Sequence, residues 1–166
     1  MRWWLLALLA GCGSDPCASI PEAAQLEVGG ADAAGATFEP FSDGSERSLI
    51  AGPQGGYHVW LHARVRGICP ASARIERRVI DEATGDLLLF SSSGAGLVET
   101  ATEGEHELDG AVPMQLCPPV IVPPVGRALR FYARITDGSG RSAEAMRSFM
   151  AACPAGDLRC ADVCSM

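Results

Sequence analysis

In two segments of this 166-residue chain, apolar side chains occupy every second position and mostly polar ones lie between them, and this period of two constrains the fold most. Residues 57–66 place apolar side chains at the odd positions, and residues 129–136 repeat the alternation with the same spacing. Successive side chains of a β-strand point to opposite faces, whereas the apolar positions of an amphipathic helix recur every three to four residues. Both segments are therefore predicted to be half-buried strands, with one face toward a core and the other toward solvent.

Turn residues separate further short segments with the composition of strands. The predicted hairpins join residues 74–80 to 86–90 around Ala83-Thr84-Gly85, and residues 129–136 to 142–150 around 137–140. Weaker strands are predicted near residues 25–28, 37–40, 48–51, 105–108 and 112–116. No amphipathic segment of helix length follows the first ten residues, and the prolines of 118–124 favour a connection or a sheet edge. Short strands with glycine-rich turns at this spacing predict an all-β chain built as a sandwich or a barrel.

The first twelve residues have the composition of an export signal. Arg2 supplies a positive charge, and residues 3–10 are all apolar, as in a secretory signal peptide. A run this short cannot cross a bilayer, which takes about 20 apolar residues. Leu9-Ala10-Gly11-Cys12 matches the lipobox, so the N-terminus resembles that of a bacterial lipoprotein. The resemblance implies cleavage before Cys12 and attachment of acyl chains to Cys12, which would anchor the protein to a membrane.

This N-terminus and the strand pattern together predict how the chain is divided. The predicted parts are a signal peptide over 1–11, a lipidated cysteine and tether over 12–24, a β-sandwich over 25–152 and a cysteine-rich C-terminal tail over 153–166.

Six cysteines remain once Cys12 is set aside, and an even number in an exported chain is typical of disulfides. They are Cys17, Cys69, Cys117, Cys153, Cys160 and Cys164. A zinc site is the alternative, but the C-terminal three are spaced without a Cys-x2-Cys pair or a nearby His. Six cysteines allow fifteen pairings, and the sequence does not choose among them. The similar Cys-Pro settings at Cys69 and Cys117 favour that pair, with the other four joining the chain ends.

The strand layout resembles an immunoglobulin-like or fibronectin-type-III-like sandwich. Residues 129–150 carry most of that resemblance, because a strand, the turn Asp137-Gly-Ser-Gly-Arg141 and a final strand look like the last hairpin of such a domain. The segment 52–56 (Gly-Pro-Gln-Gly-Gly) ahead of a strand, together with this hairpin, also resembles uncharacterised lipoproteins of GC-rich bacteria, which implies no activity. The fold class expected is an antiparallel immunoglobulin-like sandwich stapled by disulfides.

Motifs that carry catalysis are not found in the sequence. Ser139 lies directly between two glycines on a predicted turn, which is not the Gly-x-Ser-x-Gly elbow of hydrolases. The glycine-rich segments lack the residues that complete a dinucleotide or phosphate loop, and there is no His-Glu-x-x-His. The sequence does not exclude a Ser/His/Asp triad, since the members of a triad need not be close in sequence. No metal and no cofactor is predicted.

One strand face combines an aromatic side chain with cations, and we name it the Trp60 row. It consists of His58, Trp60, His62, Arg64 and Arg66. As an exposed patch it would suit an acidic glycan, a lipid headgroup or a protein partner, because Trp and Arg are favoured interface anchors. The alternative is that its arginines pair across strands with the acidic residues of 99–109, with Trp60 covered by a loop.

These observations predict a lipid-anchored, exported, non-catalytic β-sandwich at the cell envelope, facing the periplasm or the cell surface. It would bind an unidentified protein or glycan, or support the envelope. The alternative is an enzyme or an accessory domain, such as a hydrolase or a carbohydrate-binding module. A concave pocket joining Ser or Asp to His58, His62 or His106 would favour the enzyme. A net charge of −7 argues against nucleic acid as a partner.

Overall fold

The computed structural model describes residues 17, 20, 22–32, 34–118 and 122–164. The predicted signal peptide and lipidation site at Cys12 lie outside these residues. Among the described residues, none lies in a helix long and apolar enough to cross a membrane.

The strands form two sheets. The first sheet contains β1 (Gln25–Ala31), β2 (Phe38–Pro40), β4 (Ile50–Ala51), β5 (Tyr57–Arg66), β8 (Leu97–Glu99), β9 (Glu105–Leu108) and β10 (Val112–Cys117). Its order is β2-β1-β5-β9-β8, and β4 and β10 also pair with β5. The second sheet contains β3 (Ser45–Ser48), β6 (Arg74–Asp81), β7 (Leu87–Gly94), β11 (Ala128–Thr136) and β12 (Ser142–Ala152), in the order β3-β12-β11-β6-β7. The prediction of an all-β sandwich with antiparallel sheets is confirmed, although β3 pairs with β12 in parallel.

The core lies between the two sheets, and the predicted alternation accounts for it. Leu61 on β5 and Met114 on β10 are buried from the first sheet, while Phe131 on β11 and Phe149 on β12 are buried from the second. Strand β1 packs against β12 across the interface. Burial of an aromatic or aliphatic side chain of this size stabilises a fold by roughly 1.5–3 kcal/mol.

Both predicted turns are present, and a buried aspartate organises each of them. In the hairpin between β6 and β7, Oδ1 of Asp81 accepts hydrogen bonds from the N–H groups of Ala83 and Thr84. In the turn between β11 and β12, Oδ1 of Asp137 accepts from the N–H groups of Ser139 and Arg141, while Oδ2 accepts from the N–H of Cys69. Short Asp side chains that bond to backbone two or more residues ahead are typical of such turns.

A short helix, α1 (Leu158–Cys164), was not predicted. Seven residues are too few to show a helical period, so the pattern of the sequence gives no signal for it. Asp157 precedes the helix, and its Oδ1 accepts a hydrogen bond from the N–H of Cys160. Cys160 and Cys164 of this helix are both fully buried.

All six cysteines named above lie in pairs at disulfide distance, but the favoured pairing is wrong. Cys69 pairs with Cys17 rather than with Cys117, and Cys117 pairs with Cys164. Cys153 and Cys160 form the third pair. The remaining four therefore do not join the two chain ends. Cys69 follows β5 and Cys117 ends β10, and each bonds to a segment that the sheets do not include.

Candidate functional site

Strand β5 carries the Trp60 row on the outer face of the first sheet, but the row is not one exposed face. His58 is 6% exposed and His62 is fully buried, so the prediction that they face solvent is wrong. Trp60, Arg64 and Arg66 are half-buried.

The cover over His62 depends on a glycine of the neighbouring strand. Gly29 on β1 lies opposite His62, and a side chain at Gly29 would begin 2.8 Å from the ring of Phe38. Since Gly29 has no side chain, Phe38 extends over β1 and meets the ring of His62 edge-on, with the ring centroids 5.7 Å apart. The guanidinium of Arg64 lies over the ring of Phe38, 4.3 Å from the centre of that ring.

The two arginines of the row pair across strands, as the alternative interpretation expected. Arg64 lies opposite Glu107 and Arg66 lies opposite Glu105. Their ion pairs span 3.3 Å and 3.1 Å. Burial by itself would raise the pKa of Glu105, but hydrogen bonds from Thr100 and Arg66 hold it below its ordinary value. These cations are therefore already partnered within the fold, which weakens the interpretation of the row as an anion-binding patch.

Trp60 lies between two clefts. One, of about 500 Å³, is lined on one side by β1 and on the other by the segment around β4, and it includes Asp32, Arg47 and Asp157. The other, of about 360 Å³, is lined by Gly52, Pro53, Gln54, Gly56, His58, Trp60, Pro113 and Gln115. We call this second cleft the His58 cleft. Gly35 packs against the indole of Trp60, so a loop covers part of the ring, as the alternative also expected.

The His58 cleft is lined by neutral groups. Burial lowers the pKa of His58, so its imidazole is uncharged at neutral pH. The rings of His58 and Trp60 meet edge-on with centroids 4.5 Å apart. Nε2 of His58 is buried and has no hydrogen-bond partner among the described residues. A buried polar atom without a partner is unfavourable, so a ligand that displaced the side chains over this nitrogen and formed a hydrogen bond with it would gain stability.

His62 differs from His58 because no cleft opens onto it among those described above. Its Nδ1 accepts a hydrogen bond from the N–H of Ala63 at 3.0 Å, and its Nε2 is unpartnered among the described residues. Burial lowers its pKa, and the nearby charge of Glu107 opposes that shift only in part.

The clefts do not assemble the residues that would favour an enzyme. The His58 cleft contains neither Ser nor Asp. The cleft on the other side of Trp60 contains Ser48, Asp32 and Asp157, but no histidine lines it. His106 lines a separate cleft together with Glu22 and Glu103.

One group of potential metal ligands occurs in the part of the chain that the structure describes. The sulfur atoms of Cys153, Cys160 and Cys164 lie within 4.8 Å of one another. All three belong to disulfide pairs, since Cys153 bonds to Cys160 and Cys164 bonds to Cys117. Their closeness therefore reflects two adjacent disulfides, and a disulfide sulfur is not a thiolate ligand.

Sequence reasoning missed most of the His58 cleft. It identified His58 and Trp60 from their strand, but not Pro113 and Gln115, which β10 places opposite Trp60 and His58. The one available signal was the glycine-rich segment 52–56 ahead of β5. Gly56 has no side chain where Gln115 and the carbonyl of Cys117 approach, and an added Cβ would lie 2.5 Å from that carbonyl oxygen.

Comparison with known proteins adds one structural similarity. No protein-family model matches the sequence, and no curated protein matches it. Among solved structures, the chain is similar to the crystal structure of CopC from Methylosinus trichosporium OB3b, with 20% identity over 68% of this chain and 86% of that chain. The TM-score of 0.32 is low, and this similarity carries no argument about a ligand.

Proposed function

We propose that this protein is a lipid-anchored, exported and non-catalytic β-sandwich that binds an uncharged ligand in the His58 cleft. The observation that carries the proposal is a cleft lined by the imidazole of His58, an indole, two amide side chains and prolines, beside which Nε2 of His58 is buried and unpartnered among the described residues. Ligand sites are typically concave and mainly apolar, with a few polar groups that fix orientation.

The chemistry of the cleft selects the ligand class. Neither a carboxylate nor a guanidinium lines it, so a charged ligand would lose its hydration without gaining an ion pair. Neutral His58 offers one nitrogen for a hydrogen bond, and the amides of Gln54 and Gln115 each offer a donor and an acceptor. A neutral sugar or an uncharged peptide segment matches these groups.

The anchor is supported by the sequence of residues 9–12. Lipidation at Cys12 would hold the sandwich close to the membrane surface, because Cys12 lies only five residues before the cysteine that bonds to Cys69. The anchor would keep the His58 cleft at the envelope, where a protein or a glycan of the envelope could bind to it.

Fluorescence of Trp60 tests the proposed binding site directly. The chain has two other tryptophans, Trp3 and Trp4, both in the predicted signal peptide. Cleavage before Cys12 removes both and leaves Trp60 as the single tryptophan of the mature chain. Titration with a panel of neutral oligosaccharides and uncharged short peptides should change its emission in a saturable way for one of these two classes.

A matched pair of glutamine variants separates loss of a contact in the cleft from effects that any glutamine substitution would have. Gln115→Ala removes an amide that lines the cleft, and it should weaken the titration by about tenfold, the equivalent of one good hydrogen bond. Gln25→Ala removes an exposed amide at the start of β1 and should leave the titration unchanged. The proposed site would be refuted if neither class of ligand gave a saturable change, or if Gln115→Ala and Gln25→Ala weakened the titration equally.

A further inference from the structure

Two disulfides lie side by side where α1 meets the sheets. One joins Cys153, directly after β12, to Cys160 on α1, and the other joins Cys117, at the end of β10, to Cys164 on the same helix. We call these four residues the cysteine cluster. The Sγ atoms of Cys160 and Cys164 lie 3.9 Å apart although they belong to different disulfides. The Sγ atom of Cys153 lies within 4.8 Å of both.

The members of the cysteine cluster differ in how far solvent reaches them. Cys117, Cys160 and Cys164 are fully buried, whereas Cys153 is half-buried. A turn over residues 154–157 follows Cys153 directly, and the two central residues of this turn are exposed. A thiol from solvent therefore reaches the Cys153–Cys160 bond first, while the Cys117–Cys164 bond is shielded as long as the protein is folded.

Thiol–disulfide exchange can pass from the first bond to the second. In this reaction a thiolate attacks one sulfur of a disulfide, forms a new bond to it and releases the other sulfur as a thiolate. Attack on Cys153 releases the thiolate of Cys160, which already lies 3.9 Å from the disulfide sulfur of Cys164. Residues four apart in a helix have Cα atoms about 6 Å apart. This separation lies within the range of about 4.4–6.8 Å that a disulfide spans.

We propose that the cysteine cluster accepts two electrons from a dithiol, such as a pair of cysteines of a partner protein, by disulfide exchange. One thiolate of the dithiol attacks Sγ of Cys153, forms a mixed disulfide and releases the Cys160 thiolate. That thiolate attacks Sγ of Cys164, so that a Cys160–Cys164 bond forms as the Cys117 thiolate leaves. The second thiol of the dithiol then closes its own disulfide and releases Cys153.

The exchange balances with the dithiol as the only other reactant. The dithiol loses two electrons and two protons and becomes a disulfide. Cys117 and Cys153 each gain one electron and one proton and become thiols, and the cluster keeps one bond, between Cys160 and Cys164. The reaction uses none of the residues that line the His58 cleft, so the inference does not depend on the function proposed above.

Hydrogen bonds hold α1 in place while the disulfides exchange. Asp157 directly precedes the helix, and its carboxylate accepts hydrogen bonds from the hydroxyl of Tyr57 at 3.1 Å and from the N–H of Cys160 at 2.9 Å. Tyr57 is a buried residue of β5. The start of α1 is therefore tied to the first sheet by contacts that do not involve the Cys117–Cys164 bond.

Trapping of the rearranged disulfide tests the proposal. The oxidised full-length protein is treated with a small excess of dithiothreitol and quenched at intervals in acidic urea with N-ethylmaleimide, because acid removes the thiolate that exchange requires. Before the cluster is fully reduced, mass spectrometry should find Cys153 and Cys117 labelled, with Cys160 and Cys164 joined to each other. Label on Cys153 and Cys160 with Cys117–Cys164 intact would overturn the proposal. Labelling of Cys117 and Cys164 ahead of Cys153 would also overturn it.

A pair of double variants shows whether the half-buried bond is the route to the buried one. In Cys153→Ser/Cys160→Ser, excess dithiothreitol should reduce the Cys117–Cys164 bond at least about tenfold more slowly than in the wild type. Cys17→Ser/Cys69→Ser removes the disulfide outside the cluster and should not slow this reduction. Equal rates in Cys153→Ser/Cys160→Ser and the wild type would contradict the proposed route. If loss of the bond unfolds that variant, the trapping measurement on the wild type decides.

Discussion

Arg127 places Nη1 2.7 Å from Oδ2 of Asp81, a carboxylate whose side chain is only 1% exposed. The same carboxylate accepts the two backbone hydrogen bonds that close the hairpin between β6 and β7. Burial alone would raise the pKa of Asp81, but the hydrogen bond from Arg127 and those from Ala83 and Thr84 hold it below its ordinary value. This buried charge is therefore stable only because it is fully partnered.

Removing the carboxylate of Asp81 should destabilise the fold. Asp81→Ala leaves a hairpin without its acceptor and a guanidinium without its partner, and we expect a loss of about 3 kcal/mol in the free energy of unfolding. Urea denaturation measures it. Asp86→Ala, an exposed aspartate of the same hairpin, is the control and should lose no more than about 1 kcal/mol. Similar losses in both variants would show that burial of Asp81 does not determine its contribution.

The six cysteines of the disulfide pairs should contain no free thiol in the protein isolated from its native envelope. Trypsin cleaves after Arg159 and Asp-N cleaves before Asp162, so the two enzymes together separate Cys153, Cys160 and Cys164 onto different peptides. Mass spectrometry without reductant should then find the pairs Cys17–Cys69, Cys117–Cys164 and Cys153–Cys160. Two or more alkylated cysteines among these six, or a Cys69–Cys117 peptide, would contradict the pairing. Cys117→Ser/Cys164→Ser should cost about 2–5 kcal/mol of stability.

Lipidation should depend on Cys12 alone. Cys12→Ala should abolish labelling by a clickable fatty acid and move the protein from the membrane fraction to the soluble fraction, because one or more acyl chains supply the anchor. Cys17→Ala changes a neighbouring cysteine outside the lipobox and should keep both the label and the membrane association. Membrane association of the Cys12→Ala variant at the wild-type level would refute the lipoprotein interpretation.

Mild acid should destabilise the protein through two buried histidines. Burial lowers the pKa of His58 and His62 below the ordinary value of 6.5 in the folded state. Between pH 6.5 and the lower pKa values of the folded state, the unfolded chain binds more protons than the folded protein does. The free energy of unfolding is therefore at its full value above pH 6.5 and falls as the pH drops below it. The carboxylates of Asp81 and Asp137, whose pKa values are lowered, lose their contribution only in stronger acid, from their ordinary value of 3.8 downward.

The urea midpoint at pH 7.5 and at pH 5.5 measures this effect. The wild-type midpoint should be lower at pH 5.5, and the difference should shrink in His58→Gln/His62→Gln, even if that variant is less stable at both pH values. His106→Gln changes a half-buried histidine and should retain the wild-type difference. An unchanged difference in the double variant would show that other groups cause the acid sensitivity.

The sequence predicted the strands well because alternation reports local geometry. Strand β9 was predicted at residues 105–108, where it is found, and the buried positions of β11 follow the predicted parity. The short strands β3 and β8 were missed as separate elements, because neither alternates: Ser45–Ser48 is polar throughout, and Leu97–Glu99 begins with two apolar residues.

What covers a strand face was not predictable in the same way. The polar parity of His58 and His62 correctly placed them on the outer face of the first sheet. The burial of His62, however, depends on Phe38 reaching across β1 from a strand that lies some twenty residues earlier in the chain. The predicted Cys69–Cys117 disulfide was wrong for a related reason. The two cysteines have similar neighbours in sequence but different neighbours in space.

The final prediction concerns the glycine that permits this cover. A Cβ at Gly29 would lie 2.2 Å from the carbonyl oxygen of Glu39 and under 3 Å from the Phe38 ring. Gly29→Ala should therefore push β2 and Phe38 outward, at a cost of about 1–3 kcal/mol for overpacking, and should open the outer face above His62. Modification of His62 by diethylpyrocarbonate, followed by mass spectrometry, should be faster in this variant than in the wild type. Gly94→Ala adds the same methyl group to an exposed position of β7 with nothing within 4 Å, so it should change neither stability nor the labelling of His62. Equal labelling in both variants would show that Phe38 and Gly29 do not control access to the buried histidine, and that another segment closes this face.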